Sequence, residues 1–247
     1  MIKRIVSIVL LFFCLNNTAW AVDYTGGETL NYQVVYHWGV IWKHAADATL
    51  SIKKQGTGYQ ARLTAKTRSW ADKVYPVRDT LLCVMNGNLR PQRYEKYVHE
   101  KDYYAHDVVE YKYNFSHTNA HCTRYRSTYT ESTDLNAQCQ AYDMLSVFYM
   151  LRDLDPAQLE RDKRLTTVIF SGKEKEYLTI YYKGREQVKL RDGSKHDAYR
   201  LSFKFTTKGG QSSSDGIEAW LSTDDSHIPL MLLGKLSIGE VRAYCVR

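Results

Sequence analysis

Apolar side chains fall on every second position through long stretches of this chain. Leu30, Tyr32, Val34, Tyr36 and Trp38 form one such series, and Tyr59, Ala61, Leu63 and Ala65 another, interleaved with Gln60, Arg62, Thr64 and Lys66. Val109, Tyr111, Tyr113 and Phe115 alternate with Glu110, Lys112 and Asn114, and Tyr199, Leu201, Phe203 and Phe205 with Arg200, Ser202 and Lys204. Neighbouring strand residues point to opposite faces, so a period of two fits a strand with one face in a core and one in water. The same residues on a helix would scatter around its whole circumference. The chain is therefore expected to be mainly β.

Turn chemistry separates the alternating runs. Gly56-Thr57-Gly58, Asn86-Gly87-Asn88, Ser116-His117-Thr118-Asn119, Asp192-Gly193 and Gly209-Gly210 each sit between two strand candidates. Such short connections join antiparallel neighbours. The runs amount to roughly ten to twelve strands, more than a twisted open sheet usually carries without curling or splitting. The expected fold is a large curved antiparallel meander or incomplete barrel, with Gly209 to Gly216 as its one flexible loop.

One stretch breaks the rhythm. Tyr142 to Asp155, YDMLSVFYMLRDLD, is apolar nearly all round and predicts a helix that must be buried. Asp143 is placed to cap it, Tyr142 and Val147 to staple it, and Arg152 to face the negative end of its dipole. Asp155 and Pro156 open a second, shorter helix. A curved sheet gives the first helix its place on the concave side.

The first twenty-one residues read as an export signal: Lys3 and Arg4 lead, Ile5 to Leu15 is apolar but too short to span a bilayer, and Ala19-Trp20-Ala21 suits cleavage after Ala21. Phe13 occupies the position where a lipobox before Cys14 needs a small residue. Residues 22–247 then form a single β-rich domain, expected in a periplasm and without a transmembrane segment. The formal charge of +7 falls to +5 without Lys3 and Arg4, and the basic residues are spread along the strands, which does not make a nucleic-acid groove. Of the remaining cysteines, Cys122 and Cys139 are the first-ranked disulfide pair in an oxidising compartment; buried free thiols on strands are the alternative.

No catalytic motif of the hydrolase, P-loop or zinc-protease types is present. His117, His121 and Cys122 have metal-ligand residue types but straddle a predicted turn, and His106-Asp107 reads as a surface pair. No cofactor, metal site or catalytic residue is assigned. The chain has 20 tyrosines, which suit ordinary strand packing or an amphipathic cavity.

The segments Gly27 to Tyr32, Tyr142 to Arg152, Gly184-Arg185-Glu186, Trp220 to Asp224 and Ile228-Pro229-Leu230 resemble, in order and spacing, the family catalogued as domain of unknown function 3108, found in exported proteins of Gram-negative bacteria. The resemblance implies export and a β-rich fold and no activity. In architecture alone the chain is similar to periplasmic lipoprotein carriers.

The leading expectation is a non-enzymatic binder of a hydrophobic or amphipathic ligand, such as a lipid, on the concave face beside the helix. Tyr142, Met144, Phe148, Met150, Leu151 and Trp220 are the candidate binding residues. Its rivals are a cell-envelope protein that holds a partner through a tyrosine-rich face or sheet edge, and an envelope enzyme acting on glycan or lipid, for which Asp143, Asp224 and Asp225 are the acids to inspect.

Overall fold

The computed structural model describes residues 22–115, 117–207 and 212–247; the expected signal segment, Ser116 and the Gly209-Gly210 pair lie outside them. Eight strands come first: β1 (Glu28–Trp38), β2 (Ile41–Gln55), β3 (Gly58–Thr67), β4 (Arg78–Met85), β5 (Pro91–Glu100), β6 (Tyr103–Asn114), β7 (His117–Arg126) and β8 (Thr130–Ala137). A short helix, α1 (Ser69–Asp72), lies between β3 and β4. The two-residue β9 (Ala141–Tyr142) leads into helices α2 (Ser146–Arg152) and α3 (Pro156–Asp162). The remaining strands are β10 (Arg164–Phe170), β11 (Lys175–Lys189), β12 (Lys195–Thr206), β13 (Ser212–Ser222), β14 (Pro229–Lys235) and β15 (Glu240–Val246).

All fifteen strands belong to one sheet in the order β8 to β1, then β15 down to β9. The order is sequential around a ring, with the first strand paired antiparallel to the last and a gap between β8 and β9. Thr118 spans that gap: its hydroxyl donates to the Cys139 carbonyl at 2.8 Å and accepts from the Ala141 N–H at 3.1 Å. The result is a nearly closed, barrel-like sheet.

Four expectations change. Among the described residues the strand count is fifteen, and it exceeds expectation because β8, TESTDLNA, has no apolar alternation and β9 is only two residues long; both are recognised by pairing, not by pattern. Ser212 to Gly216 lies in β13 and not in a loop. The helix shrinks to Ser146–Arg152, since Asp143 turns the chain just before it. The Cys122–Cys139 bridge is not formed: Cys122 is buried on β7, Cys139 is exposed beyond β8, and all four described thiols are free.

Helix α2 partitions the interior. Leu145 and Tyr149 pack with a cluster that includes Tyr24, Met85, Tyr94, Tyr111 and Phe170, whereas Val147 and Leu151 pack with Ile180, Leu201, Phe203 and Leu221. A third cluster sits on the opposite, convex face. Trp220, Met231, Leu233 and Tyr244 alternate with the inward-facing Ala219, Leu232 and Cys245, and pack with Val35, Val188 and Leu190. The long β11–β12 hairpin supplies part of this outer core, and a bulge between Tyr182 and Gly184 redirects it there.

A candidate ligand cavity beside the buried helix

The helix is fixed in place by polar groups at both ends. The Asp143 carboxylate, wholly buried, accepts from the backbone N–H groups of Leu145 and Ser146, each at 2.8 Å, from the Ser146 hydroxyl at 2.8 Å and from the Cys83 thiol at 3.1 Å. Burial raises its pKa, and these hydrogen bonds pull against that rise. At the other end Arg152, 0 % exposed, donates to Glu28 and twice to the Ser226 carbonyl, with its guanidinium over the Tyr24 ring. The Arg152 carbonyl is 2.7 Å from Nδ1 of His227. Eight hydrogen bonds made by these two charged side chains hold a seven-residue helix, which is too short to be stable by itself.

That rotation leaves Phe148 facing an apolar cavity of about 200 Å³, closed on its other sides by Tyr32, Ala48, Leu50, Leu63, Leu232 and Ala243. Tyr32 and Leu50 are buried, and the other lining residues are half-buried, so the cavity reaches solvent. Its origin lies in the sizes of the inward-facing side chains. On the side of β4 to β6 they include Met85, Tyr94, Tyr111 and Tyr113; across β3, β2, β1 and β15 they include Ala65, Ala48, Val34 and Ala243, with Ala46 and Val241 further along. Large side chains crowd the first group, whereas in the second the alanines around Tyr32 leave space unfilled.

Of the six residues expected to bind ligand, Phe148 alone lines this cavity. Met144 packs between the two interior clusters, Tyr142, Met150 and Leu151 pack with the second, and Trp220 is on the convex face with its indole N–H donating to Glu186 at 2.6 Å. Of the other lining residues, Tyr32 and Leu63 were read as ordinary strand positions and Ala48, Leu50, Leu232 and Ala243 were not singled out. Their signal in the sequence is the run of alanines at inward positions of β2 and β3, which alternation reveals but size alone makes meaningful.

Asp224 and His121 have structural partners. Asp224 accepts from Ser222 and Ser226 in the turn before β14. His121 lies 2.8 Å from Asp134 on the face opposite Cys122. Among the described residues no group of three or more His, Cys, Asp or Glu side chains converges to hold a metal. A broader depression of about 600 Å³ around Gly26, Gly27, Gln60 and Arg62 is lined largely by polar and main-chain groups, and water suits such a surface.

A family model for a protein of unknown function, DUF3108, matches residues 31–246. The chain belongs to the DUF3108 family. No curated protein matches it in sequence. Among solved structures, this DUF3108 protein is similar to a β-barrel-like protein of the domain of unknown function DUF1849 from Brucella abortus. The two share 10 % identity with a TM-score of 0.59, over 89 % of this chain and 95 % of the other. Their likeness is one of fold, and it agrees with the barrel-like sheet described above.

Proposed function

We propose that this DUF3108 protein is an exported, non-enzymatic binder that takes the apolar end of an amphipathic ligand into the cavity beside Phe148. The observation that carries the reading is the cavity itself: about 200 Å³, apolar on every side, reached from solvent and bounded by a helix held at both ends. Apolar cavities of roughly 150 Å³ stay dry and admit benzene, whereas drug-sized ligands need about 300 Å³ or more. The volume suits one ring or a segment of acyl chain, with the polar remainder of the ligand in water.

Export is part of the same proposal. The Val22 nitrogen lies 3.1 Å from Oδ1 of Asp153, a partly buried carboxylate. Cleavage after Ala21 converts that nitrogen into an ammonium group and the hydrogen bond into an ion pair, which supports Val22 as the mature start.

The test is native mass spectrometry of protein purified from a periplasm without detergent, followed by solvent extraction. A retained mass that extracts as an amphipath, and that is lost in Ala48→Leu with folding intact, is the expected result. A bare mass of the wild type, with no uptake of added fatty acid, would refute the binder reading. The observed N-terminal residue tests the cleavage site separately.

A specific observation favours one other reading, partner binding through a tyrosine-rich face. Tyr97, His106 and Tyr125 form a cross-strand row on the outside of β5, β6 and β7, with ring centroids 4.1 and 5.3 Å apart. Both tyrosines are exposed.

A further inference from the structure

Two adjoining hairpin tips at one end of the barrel carry large apolar side chains into solvent. The β1–β2 tip bears Trp38, Val40, Ile41 and Trp42, and the β14–β15 tip bears Leu236 and Ile238. Val40 is 98 % exposed and Ile238 63 %. The tips are neighbours: β1 and β15 pair as far as His37 opposite Glu240, the Tyr36 hydroxyl donates to the Ile238 carbonyl at 3.2 Å, and a Cβ at Gly239 would stand 3.2 Å from the Trp38 side chain. Pairing of β2 with β3 stops at Ala46, and Arg68 and Trp70 cover the Ala45 and His44 carbonyls beyond it, so Ile41 to Lys43 project furthest. At the opposite end the connections through Gln55 to Gly58 and Asp192 to Ser194 are polar, with Phe115 the exposed exception.

A contiguous apolar patch on a monomer marks an interaction surface, and the charges around this one indicate its kind. Lys43 lies over the Trp70 ring at 4.2 Å, Arg242 lies over Trp42 at 5.1 Å, and Lys235 begins the second tip. Neither tip contains an acid; Glu240, which follows the second, is paired with His37 at 3.1 Å and Arg242 at 2.6 Å, and Asp47 on β2 is paired with His44 at 2.7 Å. Protein interfaces are depleted in lysine at their centres. Tryptophan beside lysine and arginine, around protruding aliphatic side chains, is the composition that sits at the boundary between water and lipid.

We infer that this end of the barrel docks on the surface of an anionic lipid bilayer, with Val40, Ile41, Leu236 and Ile238 entering the headgroup region and Lys43, Lys235 and Arg242 meeting lipid phosphates. The strands that line the cavity run on to this same end. Two residues along β15 and β14 from the lining Ala243 and Leu232 come Val241 and Gly234, and then the tips. A ligand leaving a membrane at this point would need to travel only along the inner face of those strands. The inference rests on the tips and not on the cavity reading, so vesicle binding and ligand retention are free to fail separately.

The experiment is co-flotation of the mature protein with vesicles of phosphatidylcholine alone and of phosphatidylcholine containing one quarter phosphatidylglycerol. Retention on the anionic vesicles, weakened by salt and accompanied by a blue shift of tryptophan emission, is the expected result. The double variant Val40→Asp/Ile238→Asp lowers that retention by about tenfold or more with an unchanged melting temperature, and Phe115→Asp at the other end leaves it intact. No retention on either vesicle, equal retention on both, or the same loss from Phe115→Asp would overturn the proposal. A dimer that the double variant dissolves, in a protein that ignores vesicles, would also overturn it and give the patch to a second copy of the chain.

Discussion

Arg152, the last residue of the interior helix, grips Glu28, the first residue of β1, through two parallel N–H···O bonds of 2.5 and 2.9 Å. The pair is unequal: the Arg152 side chain is 0 % exposed and that of Glu28 25 %. Breaking a buried pair by removing one partner costs about 3–5 kcal/mol, because the other charge is left uncompensated. Glu28→Ala strands the more deeply buried charge, so its loss of stability in urea unfolding is expected to exceed that of Arg152→Met. The reverse order would show that the guanidinium is held mainly by the Ser226 carbonyl and the Tyr24 ring.

Asp143 gives a second stability prediction. Asp143→Ala removes the acceptor from two backbone N–H groups inside the core, and each orphaned buried donor costs about 1–3 kcal/mol. The wild-type carboxyl, whose pKa burial raises, contributes a pH dependence of definite sign. A carboxyl with a folded pKa above its unfolded one binds more protons in the folded state, so its contribution is present below the unfolded pKa and is lost as pH rises through the folded one. The difference in stability between wild type and Asp143→Ala is therefore expected to shrink on moving from acidic to neutral pH.

Glu95 behaves in the opposite sense. Partial burial alone would raise its pKa, but hydrogen bonds from Tyr97, Arg93 and His106 outweigh that and bring it to about 2. Its contribution is present above the unfolded carboxylate pKa of about 4.3 and is lost as pH falls through about 2. Glu95→Gln is expected to melt below the wild type at pH 7, with the gap closing between those two values. A gap that is constant with pH would mean the ion pairs contribute nothing.

Trp220 is buried at 5 % exposure in the convex cluster. Trp220→Ala is expected to cost about 3–5 kcal/mol, read as a lowered urea midpoint, while ligand uptake measured on the folded fraction stays at the wild-type level. Loss of uptake without loss of stability would place the ligand on the convex face instead.

The cavity makes a paired prediction. Ala48→Leu or Ala243→Leu fills space that is empty, so stability is expected to change by less than about 1.5 kcal/mol while uptake of an added fatty acid is abolished. Phe148→Ala enlarges the cavity and is expected to destabilise by about 3–5 kcal/mol while admitting a bulkier probe. Uptake that ignores all three substitutions would move the binding site elsewhere.

Alternation and turn residues alone determined the β class, most strands and the presence of one buried helix, because each of these is decided within a few residues of chain. β3 and β12 lie where the period of two put them, and Asp155 caps the second helix through the Ala157 N–H as its position suggested. What the sequence left undetermined involves partners distant along the chain. The polar β8 exists because β7 offers it hydrogen-bonding groups. Arg152 was read as a helix-end cation matched to the dipole, and nothing local showed that it is also buried against a residue 124 positions earlier. Phe148 was visible as an interior aromatic, but the alanines opposite it come from β2 and β15, which only closure of the sheet brings together. Periodicity says which way a side chain points; how much of the space ahead is filled depends on what every other strand contributes, and that sum exists only in the folded barrel.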